Sequence, residues 1–287
     1  MAPSTEYIIL DLICPSLGVV LATMTFAAPV RSLRDRLARG SLGQLNPTPW
    51  AVMTGNCLGW ISYSFLTKDL FVLGANVPGL MISIWLNFGA CKLQYRTYYE
   101  QKLRHRLGNA ANGRAILSSP NAASRGNGDG NGSGSDHEYD VEIETVPSTV
   151  PHERKVLWVL IIWVAICSFV AHVQLTNYER EQIIGYVVNA NLCFFYAAPL
   201  TTMVEVCRTR SAVSIHVRTT VMTILNSFFW LAYGFAVHDP FIYVPNCTGF
   251  VFGVMQALLL LMFGSKRNQD DARATQLLPQ EGSGDGH

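Results

Sequence analysis

The sequence predicts an all-α membrane protein: seven transmembrane helices as two parallel-oriented three-helix bundles joined by a linker helix, a 3+1+3 plan. Three observations carry this prediction. Seven apolar stretches are long enough to cross a hydrocarbon core, which takes about 20 helical residues. The chain repeats itself at a single ungapped offset of 170 residues. Its basic residues gather on one side of the stretches.

The stretches fall at 8–30, 49–66, 70–91, 156–173, 183–206, 217–237 and 241–263. The first is not a cleavable signal, because it continues past Pro29 and lacks a basic leading region. Pro49 opens or interrupts the second. The second and fourth are short and need little tilt. Prolines and glycines within the spans are tolerated where the freed backbone groups face protein or a wet cavity. The fourth, Trp-, Ile- and Val-rich from Lys155 to His172, has no paired polar positions and is read as a linker without chemistry.

The repeat organises the rest. Ala27, Ala28 and Pro29 return as Ala197, Ala198 and Pro199, and Ser41, Phe65 and Phe71 as Ser211, Phe235 and Phe241. Asn56, Trp60, Tyr63, Asp69, Asn76 and Gly79 return as Asn226, Trp230, Tyr233, Asp239, Asn246 and Gly249. Twelve of the 53 positions from 27 to 79 are identical, where unrelated segments would share roughly three. Spans one to three form one unit and five to seven another. Four crossings separate span one from span five, so both units point the same way. The division is 1–99 for the first repeat, 100–154 for a disordered cytosolic loop, 155–175 for the linker helix, 176–265 for the second repeat and 266–287 for a disordered tail. The loop, dominated by Gly, Asn, Ser and Asp, cannot bury enough surface to offset its ordering entropy.

Orientation follows the basic residues. Arg31, Arg34, Arg36 and Arg39 follow span one, and Lys92, Arg96, Lys102, Arg104 and Arg106 follow span three. Arg208, Arg210 and Arg218 lie between spans five and six, and Lys266 and Arg267 follow span seven. Lys68 and Arg180 stand alone on the other side. The N-terminus is therefore expected outside and the C-terminus in the cytosol; the membrane is taken as the plasma membrane, with an internal membrane as the alternative. The sequons at Asn131 and Asn246 would then face the cytosol or lie within the bilayer, out of reach of glycosylation.

Composition excludes several classes. Hydrophobic residues make up 49% of the 287 and charged residues 14%, while polar segments hold the mean hydropathy to +0.22. A net charge of +1 with no basic aromatic-studded face gives no footprint for nucleic acid. Seven scattered cysteines, without CxxC or metal spacing, are expected to pack as small hydrophobes. No nucleophile–base set or metal cluster supports an enzyme, and no cofactor is implied.

An Asn in the hydrocarbon region is costly unless its amide is satisfied or wet. Asn76 and Asn246, a matched pair on equivalent helices, are better explained by a shared cavity than by cross-helix bonds. An amide both donates and accepts, which suits a neutral ligand rich in hydroxyls. Trp60 and Trp230 each precede their Asn by 16 residues, and two indoles across a cavity can sandwich the apolar face of a sugar ring. Pro29 and Pro199 occupy equivalent spans and suit either hinges or static kinks. A Tyr–Asp bond between repeats, from Tyr63 and Tyr233 to Asp69 and Asp239, would close the outer mouth; interfacial anchoring and a turn-forming Asp are the alternative. No Asp, Glu, Lys or Arg lies near the centre of a span, and the relevant histidines are His172 and His216. Without a proton-coupling group, a carrier equilibrates its substrate, which argues for uniport.

These residues resemble the SWEET sugar transporters (the MtN3/saliva family), a class built from parallel repeats. The resemblance covers about 8–92 and 155–265, most strongly at Pro245-Asn246-x2-Gly249-x3-Gly253-x2-Gln256, with Ala198-Pro199-Leu200, Arg210-Ser211 and Trp230-x2-Tyr233-Gly234 leading to Asp239. It implies that Asn76, Asn246, Trp60 and Trp230 hold the sugar. It implies that Asn56, Asn226, Thr25 and Phe195 line the pocket and bear on mono- versus disaccharide preference. Pro29, Pro49 and Pro199 match three members of a proline tetrad, His216 taking the fourth place as a hinge position, and Tyr63, Tyr233 and Asp239 match an outer gate. Val19 stands where the family has Asn after Gly18, whereas Asn189 keeps that residue in span five. Ser64 replaces a glycine, and the 108–150 insertion is long. The bulky Phe195 leans the reading toward a hexose such as glucose, carried by alternating access. The alternatives are a related PQ-loop carrier of another small solute such as an amino acid, and a seven-helix receptor. The former predicts Pro-Gln pairs, but Val30, Trp50 and Leu200 follow the key prolines; the latter would lack the duplication. The expected partners are the sugar and the lipid bilayer; a homo-oligomer is left open because no interface is readable.

Overall fold

The computed structural model describes residues 5–117 and 149–277, and among these the regular structure is helical. Helix α1 covers Thr5–Arg39, beginning with a π-helical turn at Ile8–Ile13. It is followed by α2 (Thr48–Thr67), α3 (Leu70–Leu117), α4 (Pro151–His172), α5 (Asn177–Thr209), α6 (Val217–Ala236) and α7 (Pro240–Leu277).

Helix ends follow local chemistry. Gly40, in the left-handed region at φ 78°, ends α1 with its N–H on Arg36 and Leu37 carbonyls. Asp69 starts α3, its Oδ1 accepting the N–H groups of Phe71 and Val72 at 2.9 and 3.0 Å. Asp239 does the same for α7 through Phe241, at 2.9 Å. Thr176 and Glu179 form a reciprocal capping box on α5.

Five of these helices, α1, α3, α4, α5 and α7, are long and apolar enough to cross a membrane. The seven helices fall where the seven spans are expected; α2 and α6, at 20 residues each, are the two outside that set and carry Asn56, Trp60, Tyr63, Asn226, Trp230 and Tyr233. Helix α2 is well enclosed, with eleven of its residues buried. On the outward faces Leu261, Phe194 and Phe88 are more than two-thirds exposed, as lipid-facing side chains would be.

Several helices outrun the expected spans. Helix α3 continues to Leu117 and α7 to Leu277, so 100–117 and 266–277 are helical where the sequence reading has disorder. Residues 92–107 hold strong helix formers with no Gly or Pro, and Arg96 Nε meets Glu100 Oε1 one turn on, at 2.8 Å. The linker begins at Pro151 rather than 155. The remainder of the expected loop, with Asn131, and the last ten residues of the tail lie outside the described residues.

Helix α3 packs against both α1 and α2, and α7 against both α5 and α6. Between these groups α1 packs on α6 and α2 on α5, a reciprocal pattern under the 170-residue offset. Helix α4 packs on α2 and α3. A Cβ on Gly55 or Gly59 of α2 would come within 2.8 or 2.5 Å of the Trp163 ring, so this Gly-xxx-Gly surface exists to seat the linker. One apolar cluster joins both groups near Asp69 and Asp239, including Trp60, Tyr63, Val188, Trp230, Tyr233 and Phe241. Toward the opposite end lie two further clusters, one around Leu33, Trp50 and Leu93, against which Phe195 of α5 packs, and one around Val206, Ala212 and Ile215.

Candidate functional site

The matched residues lie along four helices: Asn56 and Trp60 on α2, Asn76 on α3, Asn226 and Trp230 on α6, Asn246 on α7. Trp60 and Trp230 are 8% and 7% exposed and share the joint cluster. Each meets the tyrosine one turn on edge-to-face, Trp60 with Tyr63 at 5.6 Å and Trp230 with Tyr233 at 5.9 Å. Gly18 of α1 makes room for the second indole: a Cβ there would lie 2.9 Å from the Trp230 ring.

Asn76 and Asn246 adopt the same pose. Asn76 Nδ2 donates to the Val72 carbonyl at 2.8 Å and Asn246 Nδ2 to the Ile242 carbonyl at 2.8 Å. One amide hydrogen is thereby committed to the preceding turn, leaving the other hydrogen and the oxygen for a ligand. Asn56 Oδ1 and Asn226 Oδ1 are buried without a hydrogen-bond partner. A buried orphan acceptor costs about 1–3 kcal/mol, and here it occurs twice at equivalent positions. Both oxygens can accept a hydrogen bond from a ligand donor.

Thr25 and Phe195 are repeat equivalents at the 170 offset. The Thr25 hydroxyl donates to the Leu21 carbonyl at 2.8 Å, and Phe195 packs against the Leu33–Trp50 core of the opposite group. Among the expected hinges, Pro29 and Pro199 are helix-interior and each removes a backbone bond. Pro49 sits in the first turn of α2 and His216 immediately before α6. Neither interrupts a helix, because the first-turn N–H groups have no intrahelical acceptor to lose.

At the Asp end the tyrosines cross. Tyr63 O–H donates to Asp239 Oδ2 at 2.8 Å, and Tyr233 O–H donates to Asp69 Oδ2 at 2.8 Å. Each aspartate thus caps its own helix with one oxygen and holds the other half's tyrosine with the second. Burial raises the Asp239 carboxyl above the ordinary carboxylate range, against the opposing pull of the Tyr63 hydroxyl and the backbone N–H groups of Phe241 and Ile242. Beyond these bonds opens a cleft of about 590 Å³ lined by Lys68, Asp69, Glu181, Gln182, His238 and Asp239.

Two features escape sequence reasoning. Among the described residues the buried histidine is His152, 1% exposed, whereas His172 and His216 are exposed. His152 Nε2 donates to Asn87 Oδ1 at 2.8 Å, and Asn87 Nδ2 reaches Thr54 Oγ1 at 2.8 Å and the Trp50 carbonyl at 3.2 Å. Thr54 Oγ1 in turn lies 2.9 Å from Ser83 Oγ. The linker therefore carries polar chemistry at its start, just ahead of the stretch read as plain. The second feature is a set of bonds from Asn189 and Tyr196 on α5 to α7.

The MtN3/saliva family, described as sugar efflux transporter for intercellular exchange, matches residues 13–92 and 182–268. The bidirectional sugar transporter SWEET2a of Oryza sativa is 32% identical over 119 residues, covering 40% of this chain; the chain spans 49% of that relative's length. The bidirectional sugar transporter SWEET5 of Arabidopsis thaliana is 28% identical over 261 residues, covering 88% of this chain and 86% of its own. The structure of a eukaryotic SWEET transporter superposes with a TM-score of 0.63 at 21% identity, over 90% of this chain and 99% of that one. The all-helical membrane fold and the resemblance stated above are borne out.

Proposed function

Because this chain belongs to the MtN3/saliva family of sugar efflux transporters, we propose that it is a facilitative, bidirectional uniporter of monosaccharides, a hexose such as glucose foremost. The observation that carries this reading is the doubled set of orphan carboxamide oxygens, Asn56 Oδ1 and Asn226 Oδ1, beside two buried indoles and two half-satisfied amides. Sugar hydroxyls would complete those hydrogen bonds while the ring faces rest on Trp60 and Trp230. The arrangement offers no formal charge, so it favours a neutral polyol over an amino acid, whose carboxylate and ammonium would go unpaired.

The mechanism is alternating access between the two three-helix repeats, 1–99 and 176–265, with the linker riding on the first. With the N-terminus outside, the crossed Tyr63–Asp239 and Tyr233–Asp69 bonds form the outer gate, and the conformation is closed outward. The cluster shared by both halves and the crossed bonds lie at the Asp end, so the basic, cytosolic end is the side able to part. Pro29 and Pro199, matched across the repeats and interior to α1 and α5, each lack a backbone bond and serve as hinges. The membrane is the plasma membrane. No carboxylate lies near the centre of a span, so flux follows the sugar gradient alone.

The test is counterflow of labelled glucose in liposomes holding the purified protein, without a pH gradient. Flux is expected down the concentration gradient in both directions. Asn76→Ala and Asn246→Ala should each lower it at least tenfold, since each removes an amide from a buried polar site; unchanged flux in both variants would refute the site.

A further inference from the structure

Pro245 breaks the hydrogen-bond ladder of α7 one residue before Asn246. Lacking an N–H, it cannot donate to the carbonyl of Phe241, four residues back. Asn189 of α5 supplies the missing donor: its Nδ2 donates to the Phe241 carbonyl at 3.2 Å and to the Gly185 carbonyl of its own helix at 2.9 Å. Two turns along the same helix, Tyr196 O–H donates to the carbonyl of Pro245 at 2.5 Å. Helix α5 thus grips α7 on both sides of the turn that presents Asn246.

The other half lacks this clamp, and its interior α3 proline, Pro78, follows Asn76 by two residues instead of preceding it. At the 170-residue offset Asn189, Tyr196 and Pro245 become Val19, Phe26 and Ala75. Ala75 retains its N–H, so the Phe71 carbonyl needs no side-chain donor, and neither Val19 nor Phe26 can supply one. The donor and the proline that needs it occur together in one half and are missing together from the other.

We propose that Asn189 and Tyr196 are positioning residues for substrate: they fix the kinked α7 turn and thereby aim Asn246, while Asn76 is held by its own helix alone. The inference rests on the sugar-carrier reading of Asn246, which it deepens by making the two halves unequal partners. The Asn246 half is the pre-set template, and the Asn76 half adapts.

The experiment is a rescue cycle. Asn189→Val should raise KM for glucose in liposome flux about fivefold, the loss of about one hydrogen bond, with kcat changed less than twofold. Tyr196→Phe should act in the same direction. Asn189→Val combined with Pro245→Ala recreates the residues of the first half and should return KM toward the wild-type value, because residue 245 regains an N–H for the Phe241 carbonyl. The melting temperature of each purified variant should follow the same fall and recovery. An unchanged KM in Asn189→Val, or a double variant no better than the single in both KM and melting temperature, would overturn the proposal. If the wild-type protein moves no sugar, the function reading falls, and the melting-temperature cycle alone decides the clamp.

Discussion

Lys68 and His238, 170 positions apart, both hold left-handed backbone, at φ 57° and 55°, and so do Gly40 and Arg210, at 78° and 52°. Duplication therefore reaches down to dihedral angles, with side chains persisting where glycine would be easier. A non-glycine residue in this region costs about 1 kcal/mol, so Arg210→Gly should raise thermal stability by about that amount, read as an upward shift in melting temperature in detergent. Asp239 gives a second prediction at this scale. Its carboxyl is raised by burial in the closed gate and would return toward its ordinary value once the gate opened to water. The closed form then binds more protons, so acidification favours it. The shift begins as pH falls through the raised value and is complete below the ordinary one. The distance between spin labels at positions 68 and 238 should shorten on acidification, and Asp239→Asn should abolish the response. The equivalence of Trp60 with Trp230 and of Asn76 with Asn246 was legible from spacing alone. The burial of His152 was not, because its partner Asn87 lies 65 residues away and follows no helical period.

Among the elements, α4 is fastened to one half by two unlike devices. The Gly55–Gly59 surface admits Trp163, and the His152–Asn87–Thr54–Ser83 chain ties its first turn to α2 and α3. At the 170 offset Thr54, Ser83 and Asn87 become Ile224, Gly253 and Ala257, so no counterpart network exists in the second half. Gly59→Val should lower the melting temperature by several degrees, since even a Cβ there lies 2.7 Å from Val188 and 2.5 Å from Trp163. Apolar runs place the helices, whereas the far ends of α3 and α7 run beyond them. The continuation of α3 beyond the bilayer depends on helix propensity in a charged stretch, which polar composition alone disguises as loop.

At the scale of the whole molecule, the two crossed tyrosines are the direct hydrogen bonds that join the halves at the Asp end. Each is a bond to a carboxylate, worth roughly 1.5–3 kcal/mol, so replacing both tyrosines with phenylalanine should move the closed-to-open ratio by roughly two to four orders of magnitude. Label distances across the gate should lengthen accordingly, while Trp60 and Trp230 keep their edge contacts with the phenyl rings. An unaltered distance distribution would show that the shared apolar cluster, and not the hydroxyls, holds this end shut.

The shortfall of α2 and α6 in apolarity has a consequence for how the protein is made. The two segments that carry the indoles and the orphan amides are those least able to partition into lipid on their own. Insertion of α2 and α6 is therefore expected to depend on the more apolar helices translated after them, α3 and α7. Chemistry suited to recognising a polyol thus makes bilayer entry a cooperative event, and a lesion in α3 or α7 should surface first as failed insertion of the helix before it.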